Sequence, residues 1–326
     1  MGQDDHVTAK PRPTLAHVAK AAHVSVTTAS AALRGTGRVN DQTREHVQEV
    51  ARKLGYRKNS GASALREGAG QLVGLVLEPS ALDADPLNPK LFWPRFLNGF
   101  CAQLNASGMG VVLVSRGHLE PLAHAPIDVL VVLADLVEQL TAELPFGMPI
   151  IGGSAAAPGV VATATHDYPA IVAECVRHLR EQGGHRIAFV VPHSPVPTME
   201  QVYRLLEEQA TTQGLSVERA NSTSDAVRAV VESGADALVT AGESVGGIIS
   251  AIDASGRSIP QDVLLLSLSE SDVTETFDPP VTTMCFEGYA SGRAVADVAR
   301  KGLAEGEFAS VSLPHKLYQR ESTMRR

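Results

Sequence analysis

The sequence predicts an all-α helix-turn-helix head followed by an α/β body of parallel sheets in two lobes. Three observations carry that expectation. The stretch Thr14–Arg34, TLAHVAKAAHVSVTTASAALR, has the apolar spacing of two short amphipathic helices joined by a tight turn. From Gln71 onward, short continuous apolar runs alternate with helical periods. The charge is divided: residues 1–68 hold eleven Lys and Arg against six Asp and Glu, whereas the remainder holds 17 against 30, within a net charge of −8. A basic head on an acidic body orients a molecule on a polyanion.

In the first helix Thr14 is the expected N-cap, with Leu15, Val18, Ala19 and Ala22 on one apolar face. Ser25 is the expected cap of the second. There Ala29, Ala32 and Leu33 turn inward with Val24, which leaves Val26, Thr27, Ser30, Ala31 and Arg34 facing out. An outer face this small, ending in a cation, can approach the floor of the DNA major groove, where base edges are read. Asn40 is the expected cap of a third helix with Val47, Val50, Ala51 and Leu54 on its inner face, closed by Gly55. The expected head is residues 1–57. The segment that follows, 58–70, is basic and then rich in Gly, Ala and Ser, with Asn59 able to cap a turn or two of helix and Leu65 as its one large apolar side chain.

A composition of 44% hydrophobic and 20% charged residues belongs to a folded globular chain, not a disordered one. The opening residues MGQDDHVTAKPRP contain no apolar run of the signal-peptide kind, and no segment reaches the roughly eighteen apolar residues of a membrane span. The expected location is the cytoplasm, with no membrane partner. Cys101, Cys175 and Cys285 are odd in number, far apart and set among apolar residues, which suggests buried thiols. The eleven histidines show no metal-ligand spacing, so no metal is expected.

The body, 71–326, has strands expected at QLVGLVL, MGVVLV, IDVLVVL, MPIIGG, RIAFVV, DALVT and DVLLLSL. Helices are expected near 95–106, 168–182, 199–213, 224–233, 244–255 and 286–305. Some 250 residues exceed one core, and a break near Thr165 suggests lobes of about 71–164 with 286–308, and 165–285 with 309–326. Between Val114 and Ile127 only SRGHLEPLAHAP is left for a crossover, barely the roughly 10 to 12 residues one needs, so its helix should be a stub.

The run TLAHVAKAAHVSVTTASAALRGTGRVNDQTREHVQEVARKLGYRKNS resembles the DNA-binding head of the lactose repressor (LacI/GalR) family. The late stretch LPHKLYQREST is similar to that family's closing strand. The resemblance implies a homodimeric transcription regulator, a repressor on a double-stranded, pseudo-palindromic DNA operator. Its body would be two Rossmann-like lobes resembling periplasmic binding proteins, linked by three passages of the chain, with a cleft for a small-molecule effector. It also implies that Val26 and Thr27 open the recognition helix beside Thr28, that Ala31 stands where many members carry a guanine-reading arginine, and that His23 replaces the usual turn glycine. Lys20, Arg34, Arg38, Arg44 and Arg57 become phosphate ligands, with Tyr56 a phosphate ligand or a packing residue. Leu65 matches the hinge leucine that wedges into the minor groove.

In the cleft the resemblance runs thin. Positions where sugar- or purine-binding members place Arg, Asn, Asp and Asp correspond to Met199, Ala241, Gly242 and Ser269, while Phe92 and Trp93 match a pocket-floor segment. Phe92, Trp93, Met199 and Ser269 are the candidate ligand residues. The expected effector is more apolar or aromatic than a free sugar, or there is none. Two other classes share single features with this sequence. A solute-binding protein should carry a secretion signal and no basic head. A serine hydrolase could use Ser244, since Gly242-Glu243-Ser244-Val245-Gly246 fits G-x-S-x-G, but only His315 follows it and no HGGG-like segment precedes it. Gly152-Gly153, Gly183-Gly184 and Gly246-Gly247 lack the G-x-G-x-x-G order of a dinucleotide site. Neither a catalytic residue nor a cofactor is expected.

Overall fold

The computed structural model describes residues 14–34, 39–54, 71–78, 92–133, 148–153, 159–191, 197–241 and 245–325. The head comprises α1 (Leu15–Ala21), α2 (Val26–Arg34) and α3 (Asp41–Leu54). Thr14 caps α1: its Oγ1 accepts from the His17 amide at 3.3 Å, and the His17 Nδ1 accepts in return from the Thr14 amide at 3.2 Å. Ser25 Oγ accepts from the Thr28 amide at 3.0 Å, and Asn40 Oδ1 from the Thr43 amide at 2.7 Å, so each helix starts on a side chain that satisfies an otherwise unpaired N–H.

Val18, Ala19, Ala22, Ala29, Ala32, Val47 and Ala51 make the core of the head, with Leu15, Val24, Leu33 and Val50 against it. Leu54 departs from the expected inner face and is 38% exposed. At 14 residues α3 outruns its partners of 7 and 9, so its last turn has less to pack on. Between α1 and α2 the chain turns through His23 at φ 54°, with the Val24 amide on the Ala19 carbonyl at 3.0 Å and the His23 amide on Lys20 at 3.3 Å. This is a Schellman closure, which normally puts glycine at the left-handed position.

The body holds two sheets. The first runs β11-β5-β4-β3-β1-β2, from β1 (Leu72–Leu77), β2 (Gly110–Ser115), β3 (Ile127–Val132), β4 (Ile150–Gly152), β5 (Val160–His166) and β11 (Val311–Leu313). The second runs β12-β10-β9-β8-β6-β7, from β6 (Arg186–Val191), β7 (Ser216–Asn221), β8 (Ala237–Ala241), β9 (Leu264–Ser269), β10 (Thr282–Cys285) and β12 (Lys316–Tyr318). Among the described residues every pairing is parallel except β10 with β12.

In the first lobe α4 (Phe92–Asn105) and α11 (Gly288–Glu305) cover one face, and α5 (Glu120–His124) contributes Leu122 to the other. The five-residue α5 is the expected stub. In the second lobe α6 (Tyr168–Glu181) and α7 (Pro197–Thr212) cover one face, and α8 (Ser224–Glu232) and α9 (Val245–Ala254) the other, with the short α10 (Ser271–Thr274) following β9. Cys175 and Cys285 are buried, Cys101 is partly buried, and none of the three is in a disulfide.

Three differences from the sequence expectation have physical causes. The strands β5, β7 and β10 lack a long apolar run: β5 alternates in burial, β7 lies at a sheet edge with only Ala220 buried, and β10 is four residues long and starts on two threonines. The last passage between lobes follows Leu313 instead of residue 308, because Val311–Leu313 cover the edge of β5 in register with Ala164–His166. The helix expected from 286 starts at Gly288, after Phe286 and Glu287 have bridged the lobes.

The pair α4 and α11 sets the geometry of the first lobe. A Cβ on Gly99 would collide with the Tyr289 carbonyl and one on Gly292 with the Phe96 carbonyl, so the two backbones touch without side chains between them. Gly292→Ala should therefore overpack this contact and cost about 1–3 kcal/mol, read as a lower denaturant midpoint. By contrast, His23→Gly should stabilise the head by about 0.5–1 kcal/mol by relieving the left-handed histidine. Slower hydrogen exchange across α1 and α2 in the full chain would report it; faster exchange would mean that the imidazole is worth more than the strain.

Candidate nucleic-acid interface and interlobe cleft

The outer face of α2 is built as its sequence implied. Ala29 and Ala32 are fully buried, while Val26 is 50% exposed and Thr27 is exposed beside it. Ser30 and Ala31 are partly exposed. The hydroxyls of Thr27 and Thr28 lie 2.9 and 2.7 Å from Ser25 Oγ, so Thr27 is held by its own helix cap until a base edge competes for it. Lys20 is exposed at the end of α1.

Arg44 is less available than its charge suggested. Its Nη2 donates to the Val39 carbonyl at 3.4 Å, and its Nε is buried with no partner among the described residues. The Arg34 side chain, Arg38, Tyr56, Arg57, Asn59 and Leu65 lie outside the described residues, as does the Gly242–Ser244 segment.

The second candidate region lies where strand ends of the two sheets face each other. Phe92 and Trp93 open α4 with ring centroids 5.1 Å apart in an edge arrangement. Phe92 also reaches His166, the last residue of β5, at 6.1 Å, and Phe286, just past β10, at 6.5 Å. Met199 packs on the core of the second lobe, and Ser269 turns its hydroxyl to Ser267 at 2.9 Å. Ala241 ends β8 fully buried. Of the four candidate ligand residues, only Phe92 and Trp93 are brought together by a ring contact.

Four functional candidates escaped the sequence reading: Arg95, His166, Glu270 and Phe286. Glu270, directly after Ser269, is 5% exposed; its Oε2 pairs with Arg95 Nη1 at 3.3 Å and its Oε1 accepts from the Gly288 amide at 3.2 Å. It thus ties the end of β9 to the starts of α4 and α11. Burial raises its pKa, against the Gly288 amide and the Arg95 charge, which lower it. His166 is 8% exposed, and burial, with a smaller push from His315 and against the Leu313 backbone, lowers its pKa to about 4. A carboxylate one residue past the expected acidic position was the only signal for Glu270. Nothing local marks His166.

Residues 14–59 match the profile of bacterial regulatory proteins of the lacI family, and residues 176–323 match that of the periplasmic binding protein-like domain. The head is a LacI-type helix-turn-helix domain, and the chain is similar to LacI-family regulators along most of its length. Among the chain's relatives, the HTH-type transcriptional regulator CelR of Thermobifida fusca is 28% identical over 322 residues, covering 87% of this chain and 90% of that one. Catabolite control protein A of Staphylococcus xylosus is 22% identical over 342 residues, covering 95% and 99%. Two solved structures share the fold. A lac repressor dimer bound to operator and the anti-inducer ONPF has a TM-score of 0.66 at 19% identity over 96% of this chain and 99% of that one. A CelR-cellobiose complex has 0.61 at 24% over 95% and 100%. Among the described residues, no helix is long and apolar enough to cross a membrane.

The Glu270 assignment has a pH signature. Because its folded pKa is raised, the native state holds the proton more tightly than the unfolded state. That stabilisation is complete below the ordinary carboxylate range and is lost as pH rises through the range toward the folded value. Wild-type stability should therefore fall relative to Glu270→Gln as pH climbs from about 4. Parallel denaturation curves at each pH check this, and an opposite slope would mean that Arg95 and Gly288 outweigh burial.

Proposed function

We propose that this chain is a homodimeric, sequence-specific repressor of a pseudo-palindromic DNA operator, acting in the cytoplasm, with a small-molecule effector cleft between its lobes. The observation that carries the reading is the capped α1–α2 unit, whose exposed Val26 and Thr27 sit over a core of alanines. Small side chains inside let the helices approach closely, and small side chains outside let α2 enter the major groove. Val26 methyls favour thymine methyls, and Thr27 reads a base edge after giving up Ser25. The lack of an arginine at Ala31 removes one bidentate guanine contact, worth about 1–3 kcal/mol of discrimination.

Two heads on a twofold-symmetric body match two half-sites, and Leu65 of the 58–70 hinge wedges the minor groove between them. The chain needs neither cofactor nor catalytic residue for this. The relative described with cellobiose and the one described with ONPF support an effector in the cleft. Here Met199, Ala241 and Ser269 supply few sugar-matching groups, so the effector is less polar than a free sugar.

Genomic footprinting tests the reading and names the operator. If 6 to 10 phosphates are neutralised, affinity should fall about 10³- to 10⁵-fold between about 50 and 200 mM salt, and a flat response rejects the electrostatic head. Thr27→Ala should change the ranking of operator variants, whereas Lys20→Ala should weaken them all alike.

A further inference from the structure

We propose that Ser25, Thr27 and Thr28 form a hydroxyl relay through which Thr27 meets either an amino or a keto base edge in the major groove. Thr28 is the positioning residue of that relay. This rests on the reading of the chain as a sequence-specific DNA-binding regulator. The first observation is the crowding around one oxygen. Ser25 Oγ accepts from the Thr28 amide at 3.0 Å and lies 2.9 Å from Thr27 Oγ1 and 2.7 Å from Thr28 Oγ1. A serine hydroxyl offers one hydrogen and two lone pairs, and the amide takes one lone pair. One threonine therefore donates to Ser25, and the other accepts from it.

The second observation is that both directions of the relay fit this geometry. In one, Thr27 donates to Ser25 and Ser25 to Thr28, which leaves the Thr27 lone pairs to accept from the amino group of adenine or cytosine. In the other, Thr28 donates to Ser25 and Ser25 to Thr27, whose own hydrogen is then free for the keto oxygen of guanine or thymine. Thr27 thus gives up Ser25 as an acceptor or as a donor, never as both. Hydroxyls aligned head to tail polarise one another, so the helix cap and the reading residue act together.

The third observation sets Thr28 behind the reading position. Val26 and Thr27 are exposed on the outer face of α2, whereas Thr28 is half-buried and Ala29 beside it is fully buried. Thr28 therefore acts through Ser25. Removing its hydroxyl affects the two directions unequally. Where Ser25 would donate to Thr28, the serine hydrogen loses its acceptor; in the opposite direction only a lone pair stays empty. In a contact that excludes water, an unpaired donor costs more than a spare lone pair. Without the Thr28 hydroxyl the serine hydrogen turns to Thr27, and Thr27 donates to the base. Its loss tilts recognition toward keto edges.

Thymine and 5-methylcytosine share the ring methyl and differ in a keto against an amino group at the same ring position, so they isolate this polarity. Duplexes of the footprinted operator carry one or the other at the base where Thr27→Val alters binding of the full-length protein. The wild type should bind the two within about ten-fold of each other, and Thr28→Val should raise the thymine-to-5-methylcytosine affinity ratio by at least about five-fold. Thr28→Ser keeps the hydroxyl and should keep the wild-type ratio. Thr28→Ala removes the hydroxyl without adding a methyl and should shift the ratio as Thr28→Val does, so it decides if the valine variant does not fold. An equal loss on both duplexes would mean that Thr28 only packs or holds a phosphate, and would overturn the proposal. A shift toward 5-methylcytosine, a wild type restricted to one of the two bases, or the absence of any base at which Thr27→Val matters would overturn it as well. Footprints with an unchanged ratio refute the relay alone, and a wild-type protein that footprints no duplex refutes the regulator.

Discussion

A parallel sheet presents all its strand ends along one edge, and a chain that visits two such sheets passes between them where those edges face. In this protein the three passages follow His166, Cys285 and Leu313, which end β5, β10 and β11. That constraint draws residues from distant parts of the chain into one place, as with Arg95 and Glu270, 175 positions apart. Ligands of open α/β sheets bind outside the carboxyl ends of strands for the same reason.

The closure of the crossing is a balance of modest terms. The Arg95 side chain is 34% exposed, so its ion pair with Glu270 is screened and adds about 0–1 kcal/mol. The Gly288 amide on the same carboxylate is buried, and hydrogen bonds to charged groups contribute about 1.5–3 kcal/mol, so the backbone donor outweighs the arginine. Against both stand the burial of Glu270 and the two unmet nitrogens of His166. A junction whose favourable and unfavourable terms are of similar size responds to a small added contact.

Elsewhere the body is tied down firmly. The Arg325 guanidinium donates to the carbonyls of Gly183, Asp236, Pro260 and Asp262. Thr323 links His178 to Thr282, and Ser322 Oγ joins the Thr282 amide to the Leu265 carbonyl. The second lobe is thereby closed by the last residues of the chain, and the pair α4 and α11 closes the first through Gly99 and Gly292. Rigid lobes concentrate any movement at the crossings.

What the sequence by itself determined is local. The caps Thr14, Ser25 and Asn40, the apolar faces of α1 and α2, and the stub α5 all depend on residues within a few positions of one another. Continuous apolar runs likewise marked the buried strands. The half-exposed β5 and β7 and the short β10 left no such trace. Tertiary structure alone decided the cleft. Ser269 was the legible position, but its hydroxyl turns to Ser267 while the next residue carries the working carboxylate. His166 looks like any strand-end histidine until Phe92, Tyr168 and Phe286 fold over it and leave its nitrogens without partners. Helix caps and periodicity are properties of neighbours in sequence, whereas burial and the pairing of a polar atom depend on neighbours in space.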